Sequence, residues 1–87
     1  MKRFTWSHKK NEWLIENRKI SFDAILQAIG SSLLDVRMNR SSKHKNQKIF
    51  IVNIDGYPWI IPFKESNEEI HLITAFPSRD LKEEFNL

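Results

Sequence analysis

The chain contains no cysteine, so it has no disulfide, no thiol nucleophile and no cysteine-based zinc site. Two glycines and three prolines in 87 residues exclude collagenous and low-complexity classes. Gly30 and Gly56 stand alone, so there is no glycine-rich phosphate loop. No apolar run approaches the roughly 18 residues of a membrane span. Behind Met1-Lys2-Arg3 there is no apolar stretch, so no secretory leader is visible and a cytoplasmic location is expected. The three histidines, His8, His44 and His71, lack metal-ligand spacing, and neither a metal nor another cofactor is expected.

What is present fits one small domain over residues 1–87. The chain is 40% hydrophobic and 29% charged, as in a globular protein. At this size it buries about 60–65% of its unfolded surface, which allows one core and no deep cofactor cavity. The net charge of +3 conceals a division. Residues 1–54 carry eleven Lys/Arg against four Asp/Glu, whereas residues 55–87 carry three against seven. Between Arg37 and Lys48 lie Arg37, Arg40, Lys43, His44, Lys45 and Lys48 without an acid. Such a block suits phosphate or an acidic protein partner; a solvated loop that aids solubility is the plainer reading.

Phe4-Thr5-Trp6 alternates as a short strand. Ser7 offers an N-cap to a helix from His8 to about Arg18, with a narrow apolar stripe at Trp13 and Leu14. Ser21 repeats the capping chemistry before Phe22, Ile25, Leu26 and Ile29, so a second helix is expected over about 22–29, closed by a left-handed Gly30. Leu33–Arg37 reads as a strand or extended link, and Arg40–Asn46 as a loop. Lys48–Ile54 is β-rich, Asp55-Gly56 is a hairpin turn, and Tyr57–Phe63 is the return strand. After a polar turn at Glu65–Glu68 comes a third long strand, Ile70–Phe76, then Pro77, Ser78 and a short helix from Arg79 to about Phe85. The order β-α-α-β-β-β-α predicts an α+β fold, with two N-terminal helices packed on one face of an antiparallel sheet meander and a short C-terminal helix. Pro58 and Pro62 lack the amides that would face the strand's second neighbour. Pairing there therefore needs a bulge near Pro62. Trp6, Trp13, Trp59, Phe50 and Phe76 are expected in the core; Tyr57 and Phe63 are better placed for stacking.

His44 in the basic loop, His71 on the third strand beside Ile73 and Ala75, and Arg79 directly after it form a set of imidazoles and cations around the sheet. Imidazole titrates near neutral pH and can serve as acid or base. Cations beside it would stabilise a pentavalent phosphate. Plainer readings are a solvent-face His71, a charged-loop His44, and an Arg79 that pairs with Glu83.

Phe4-Thr5-Trp6, a polar cap, a helix, Ile20-Ser21-Phe22-Asp23-Ala24, and the late Ile73-Thr74-Ala75-Phe76-Pro77-Ser78-Arg79 resemble BrnT-type toxins of bacterial type II toxin–antitoxin pairs. That family opens Phe-x-Trp-Asp, helix, His-Gly-Val/Ile-Ser-Phe-Glu-x-Ala. The resemblance spans nearly the whole chain and is that of a divergent member. Ser7 stands for the usual Asp, and Arg18-Lys19 for His-Gly. The resemblance implies a RelE-like fold and a metal-independent endoribonuclease. It also implies a cognate antitoxin that covers the active surface, and operator DNA bound through the antitoxin complex. Arg79 matches the family's C-terminal arginine. The corresponding roles are Arg79 and Lys48 on phosphate, His71 or His44 for proton transfer, and Arg37, Arg40, Lys43 and Lys45 for RNA docking. Two alternatives stay open: a non-catalytic nucleic-acid- or protein-binding module using the basic segment 37–48, and a RelE-like toxin acting on a topoisomerase.

Overall fold

A computed structural model describes residues 2–39 and 47–87. Arg40, Lys43, His44 and Lys45, four of the candidate residues, lie outside the described residues. The elements are β1 (Arg3–Trp6), α1 (His8–Arg18), α2 (Phe22–Ser31), β2 (Leu33–Met38), β3 (Lys48–Ile54), β4 (Tyr57–Glu65), β5 (Glu69–Leu72), β6 (Phe76–Pro77) and α3 (Asp80–Glu84). The fold is α+β, with three helices and a six-stranded sheet in which β1-β5-β4-β3-β2 lie side by side and β6 pairs with β4.

Local chemistry explains most boundaries. The Ser7 hydroxyl accepts from the Lys10 amide and the Ser21 hydroxyl from the Ala24 amide, so both helices start where a serine cap is available. Asp55 and Gly56 both have positive φ, the backbone of a two-residue hairpin, and Asn53 Oδ1 accepts from the Gly56 amide at 2.8 Å. The left-handed helix end falls at Lys19 (φ 57°), not at Gly30, which stays inside α2. α2 runs one residue past Gly30 and closes with the Ser32 amide on Ala28 O, then passes directly into β2. A side chain held in the left-handed region costs about 1 kcal/mol relative to glycine. Lys19→Gly is expected to raise the unfolding free energy by up to that amount in a denaturant titration.

The sheet departs from a simple antiparallel meander in two respects. β1 joins β5 in parallel, Thr5 opposite His71, which makes the sheet mixed. The expected third strand also breaks at residues 73–75. Phe63 pairs with Leu72, yet Ile60 pairs with Phe76, so the chain of β5 and β6 holds one more residue than the stretch of β4 it faces. This is the bulge the prolines demand, with the extra residue on the partner. Ile73 and Ser78 donate to Pro62 O and Pro58 O, bonds that need no proline amide. Arg18 Nη1 donates to the Ala75 carbonyl at 2.5 Å, satisfying a group the bulge turns away from the ladder. The slip reverses the faces beyond it. Ala75 enters the core instead of lying with His71, and Phe76, registered with Ile60, leaves it.

α1 and α2 supply Leu14, Phe22, Ile25 and Ala28 to one core with Phe50, Val52, Ile61, Phe63 and Leu72 of the sheet. Phe63 stacks on Phe50 at 4.1 Å between ring centroids, so it is a core residue and not a stacking platform. Trp6 and Trp59 pack against this cluster, but Trp13 is 41% exposed, with Lys10 and Arg18 each 4.7 Å from its ring. A stripe of only Trp13 and Leu14 is one side chain wide, and Leu14 alone turns inward.

The sheet's far face carries a smaller apolar layer of Ile51, Pro58 and Pro62, all buried. α3 lies across it. Its start follows Ser78, tied to Pro58, and its end reaches Arg37, whose guanidinium donates to both oxygens of Glu84 and sits 5.4 Å from the Phe85 ring centroid.

Candidate functional site

The registers decide which candidate residues meet. Thr5, His71 and Lys64 form one cross-strand row, Thr5 opposite His71 on one side and Lys64 opposite it on the other. Phe63 and Leu72 point into the core, so by alternation Lys64 and His71 emerge on the far face. Arg3 and Glu69, the next pair along that face, lie opposite each other. Neighbours across a ladder lie about 5 Å apart at Cβ, within reach of long side chains. The end of α3 reaches Arg37, one row short of His71; Lys64 and Arg3 are exposed, and Thr5 and His71 are half-buried.

Within the row, Thr5 Oγ1 lies 2.9 Å from His71 Nδ1. A hydroxyl both donates and accepts, so Thr5 holds the ring in either tautomer. The outer nitrogen, Nε2, has no partner among the described residues, and neither does the Lys64 ammonium. The arrangement offers an oriented imidazole in one row with a cation that has no partner among the described residues. Nothing in the local pattern marks Thr5 or Lys64; only the pairing of three strands distant in sequence brings them to His71.

The remaining candidates lie elsewhere. Lys48 is registered with Phe63, so its side chain emerges on the helix face, opposite to His71. There Glu65 is held between Lys2 at 2.6 Å and Lys48 at 3.2 Å. The Lys2 hydrogen bond, then that of Lys48, lowers the Glu65 carboxyl below its ordinary 4.5. Arg37 is also engaged. Glu84, then Asp35, raises its guanidinium further, and Arg37 in turn lowers Asp35, helped by the Val36 amide. Carboxylates lowered in the folded chain add stability that is complete above about pH 5 and disappears as pH falls through the lowered values. Glu65→Gln and Asp35→Asn, each having lost one such group, are therefore expected to be less stable than the parent chain at pH 7 and to lose less stability on acidification, so that the curves converge at low pH. Thermal melts from pH 7 to 2 measure this, and parallel curves would contradict it.

Arg79 precedes α3, is exposed, and has no side-chain partner among the described residues. Ser78 lies beside Pro58 whereas His71 lies beside Lys64, six positions along β4. At about 3.3 Å per residue their backbones are on the order of 20 Å apart. One site cannot use both on the same phosphate as they stand. Tyr57, considered for base stacking, carries the Lys82 ammonium 4.7 Å from its ring centroid.

Among the described residues no group of three His, Cys, Asp or Glu side chains is placed to hold a metal ion. No helix among them is long and apolar enough to cross a membrane. No family model, curated protein or solved structure matches the chain.

Proposed function

We propose that this chain is the toxin of a type II toxin–antitoxin pair, a RelE-like endoribonuclease that works without a metal and is neutralised by a cognate antitoxin. The observation that carries the chemistry is His71, its inner nitrogen held by Thr5 and its outer nitrogen, in the same cross-strand row as Lys64, without a partner among the described residues. The resemblance is supported by Lys19. The family places a glycine there, and the chain takes the left-handed backbone that favours glycine without having one.

In this mechanism Nε2 of His71 removes the proton of a ribose 2′-OH. The oxygen attacks the adjacent phosphorus, and the P–O5′ bond breaks. The products are a 2′,3′-cyclic phosphate and a 5′-OH that takes up a proton. Thr5 accepts from Nδ1–H both while the outer nitrogen is a base and after it has taken the proton, because the imidazolium carries hydrogen on both nitrogens; the ring is thus held in one orientation while Nε2 takes the proton and gives it up. Lys64, with Arg3 next to it, neutralises the phosphate as charge builds up.

Arg79 belongs to the same proposal through the family match, but at the other end of α3. There it would hold RNA away from the bond that breaks, or contact the antitoxin. The test is induced expression in a bacterium of the parent chain and of Arg79→Ala, reading growth and new RNA 5′ ends within minutes. Arrest with new ends is expected from the parent chain. Arrest with intact RNA and stressed DNA would move the target to a topoisomerase, and no arrest at good expression would favour a non-catalytic binding module. New ends that vanish in Arg79→Ala would shift the phosphate site to α3.

A further inference from the structure

β2 ends the sheet, and no described strand pairs with its outer side. The Asn39 amide donates to Gln47 O, so by alternation Arg37 and Asp35 turn their backbone groups toward β3, while Val36 and Met38 turn theirs outward. Leu33, Val36 and Met38 are exposed large apolar side chains, at 44%, 44% and 56%. Their partners Val52, Phe50 and Lys48 place all three on the helix face, with Asp35 and Arg37 on the far face. An apolar strand with open backbone groups is what proteins ordinarily cover or blunt.

The sequence of β2 is complementary to itself. In antiparallel pairing about a twofold axis, each contact between two positions occurs twice. If the axis passes through Val36, Val36 opposes Val36, and Asp35 of each copy opposes Arg37 of the other. Centring on Asp35 or on Arg37 instead sets like charges against each other, which is destabilising. Only the Val36 register joins outward-facing backbone groups at the centre with opposite charges on either side. We propose that two copies of this chain associate by antiparallel pairing of β2 with β2, centred on Val36, to form one continuous sheet. In a single copy Asp35 Oδ1 accepts from the Val36 amide at 2.8 Å, which keeps the open edge satisfied until a second copy arrives. Pairing exchanges that carboxylate for the other copy's Val36 carbonyl and leaves Asp35 between two arginines. None of this depends on the ribonuclease reading.

The chain has no cysteine, so Val36→Cys introduces a single thiol. A hydrogen-bonded antiparallel pair sets Cα atoms about 5.5 Å apart, within the span a disulfide bridges. Under mild oxidation, Val36→Cys is expected to form a covalent dimer at least about tenfold faster than Ile15→Cys, a comparably exposed site on α1. Sedimentation of the parent chain is expected to show a concentration-dependent dimer that Val36→Lys abolishes, with an unchanged melt under dilute conditions. A parent chain that stays monomeric, equal cross-linking at the two sites, or a dimer that survives Val36→Lys would each overturn the proposal. Protection of the β2 amides only by a co-expressed different protein would overturn it too.

Discussion

His71→Gln is expected to lower RNA cleavage by about 10²–10⁴-fold, the usual contribution of a positioned acid or base. Glutamine retains a polar group near Thr5 but has no nitrogen that titrates in the working range. His71 is half-buried on the face away from the core and contributes no side chain to it, so the melt is expected to stay within about 0.5 kcal/mol of the parent. Thr5→Val separates positioning from chemistry. It preserves the shape of the row and removes the hydroxyl 2.9 Å from Nδ1. A loss smaller than that of His71→Gln, with a displaced pH–rate profile, is expected if Thr5 holds the tautomer. An unchanged profile would make Thr5 a packing residue only.

Phe22→Ala is expected to cost about 3–5 kcal/mol, as for a large aromatic removed from a core. An 87-residue domain has a total stability of roughly 4–13 kcal/mol. The variant should therefore be partly or wholly unfolded at 37 °C, its midpoint lowered by roughly 15–30 °C. Phe22 is fully buried, stacks on Trp6 at 5.5 Å between ring centroids, and donates its amide to Asn11 Oδ1 at 2.7 Å. It thus joins α1, α2 and β1 at one point. Ile15→Ala is the control, because a half-exposed side chain on α1 should change stability by less than about 0.5 kcal/mol. Equal effects of the two would contradict the assigned core.

Where a few neighbouring residues decide the outcome, the structure was legible in the sequence. Ser7 and Ser21 cap helices, and Asp55-Gly56 turns a hairpin, because each needs only a side chain within three positions of its partner. Pro58 and Pro62 even foretold a bulge. It lies opposite Pro62 as expected, but the strand that carries the extra residue was hidden, because alternation along Ile70–Phe76 looks unbroken until a partner strand with fewer residues is laid against it. That slip moved Ala75 inward and Phe76 outward. Gly30 misled because the signal for a helix end is a permissive residue, and a helix with a further bond to make continues through it.

The candidate site was less legible than the fold. His71 was visible as an imidazole on a strand. Its partners were not, because Thr5 is 66 positions away and reaches it only through the parallel joining of β1 to β5. The basic character of residues 37–48 likewise gave no sign of Glu84, which holds Arg37 from 47 positions away. Charge in a sequence counts cations; pairing decides which of them remain available. Of the candidate residues described, Arg37 and Lys48 are paired with carboxylates, whereas Arg79 has no side-chain partner among the described residues.

The most direct test is to sequence new RNA 5′ ends by a method that reads only 5′-hydroxyl termini, minutes after induction of the parent chain and of His71→Gln at matched protein levels. Abundant new 5′-hydroxyl ends from the parent chain, absent from His71→Gln, are the expected result. Growth arrest without such ends, or ends of equal abundance in both, would contradict the assignment of His71 as the group that moves the proton.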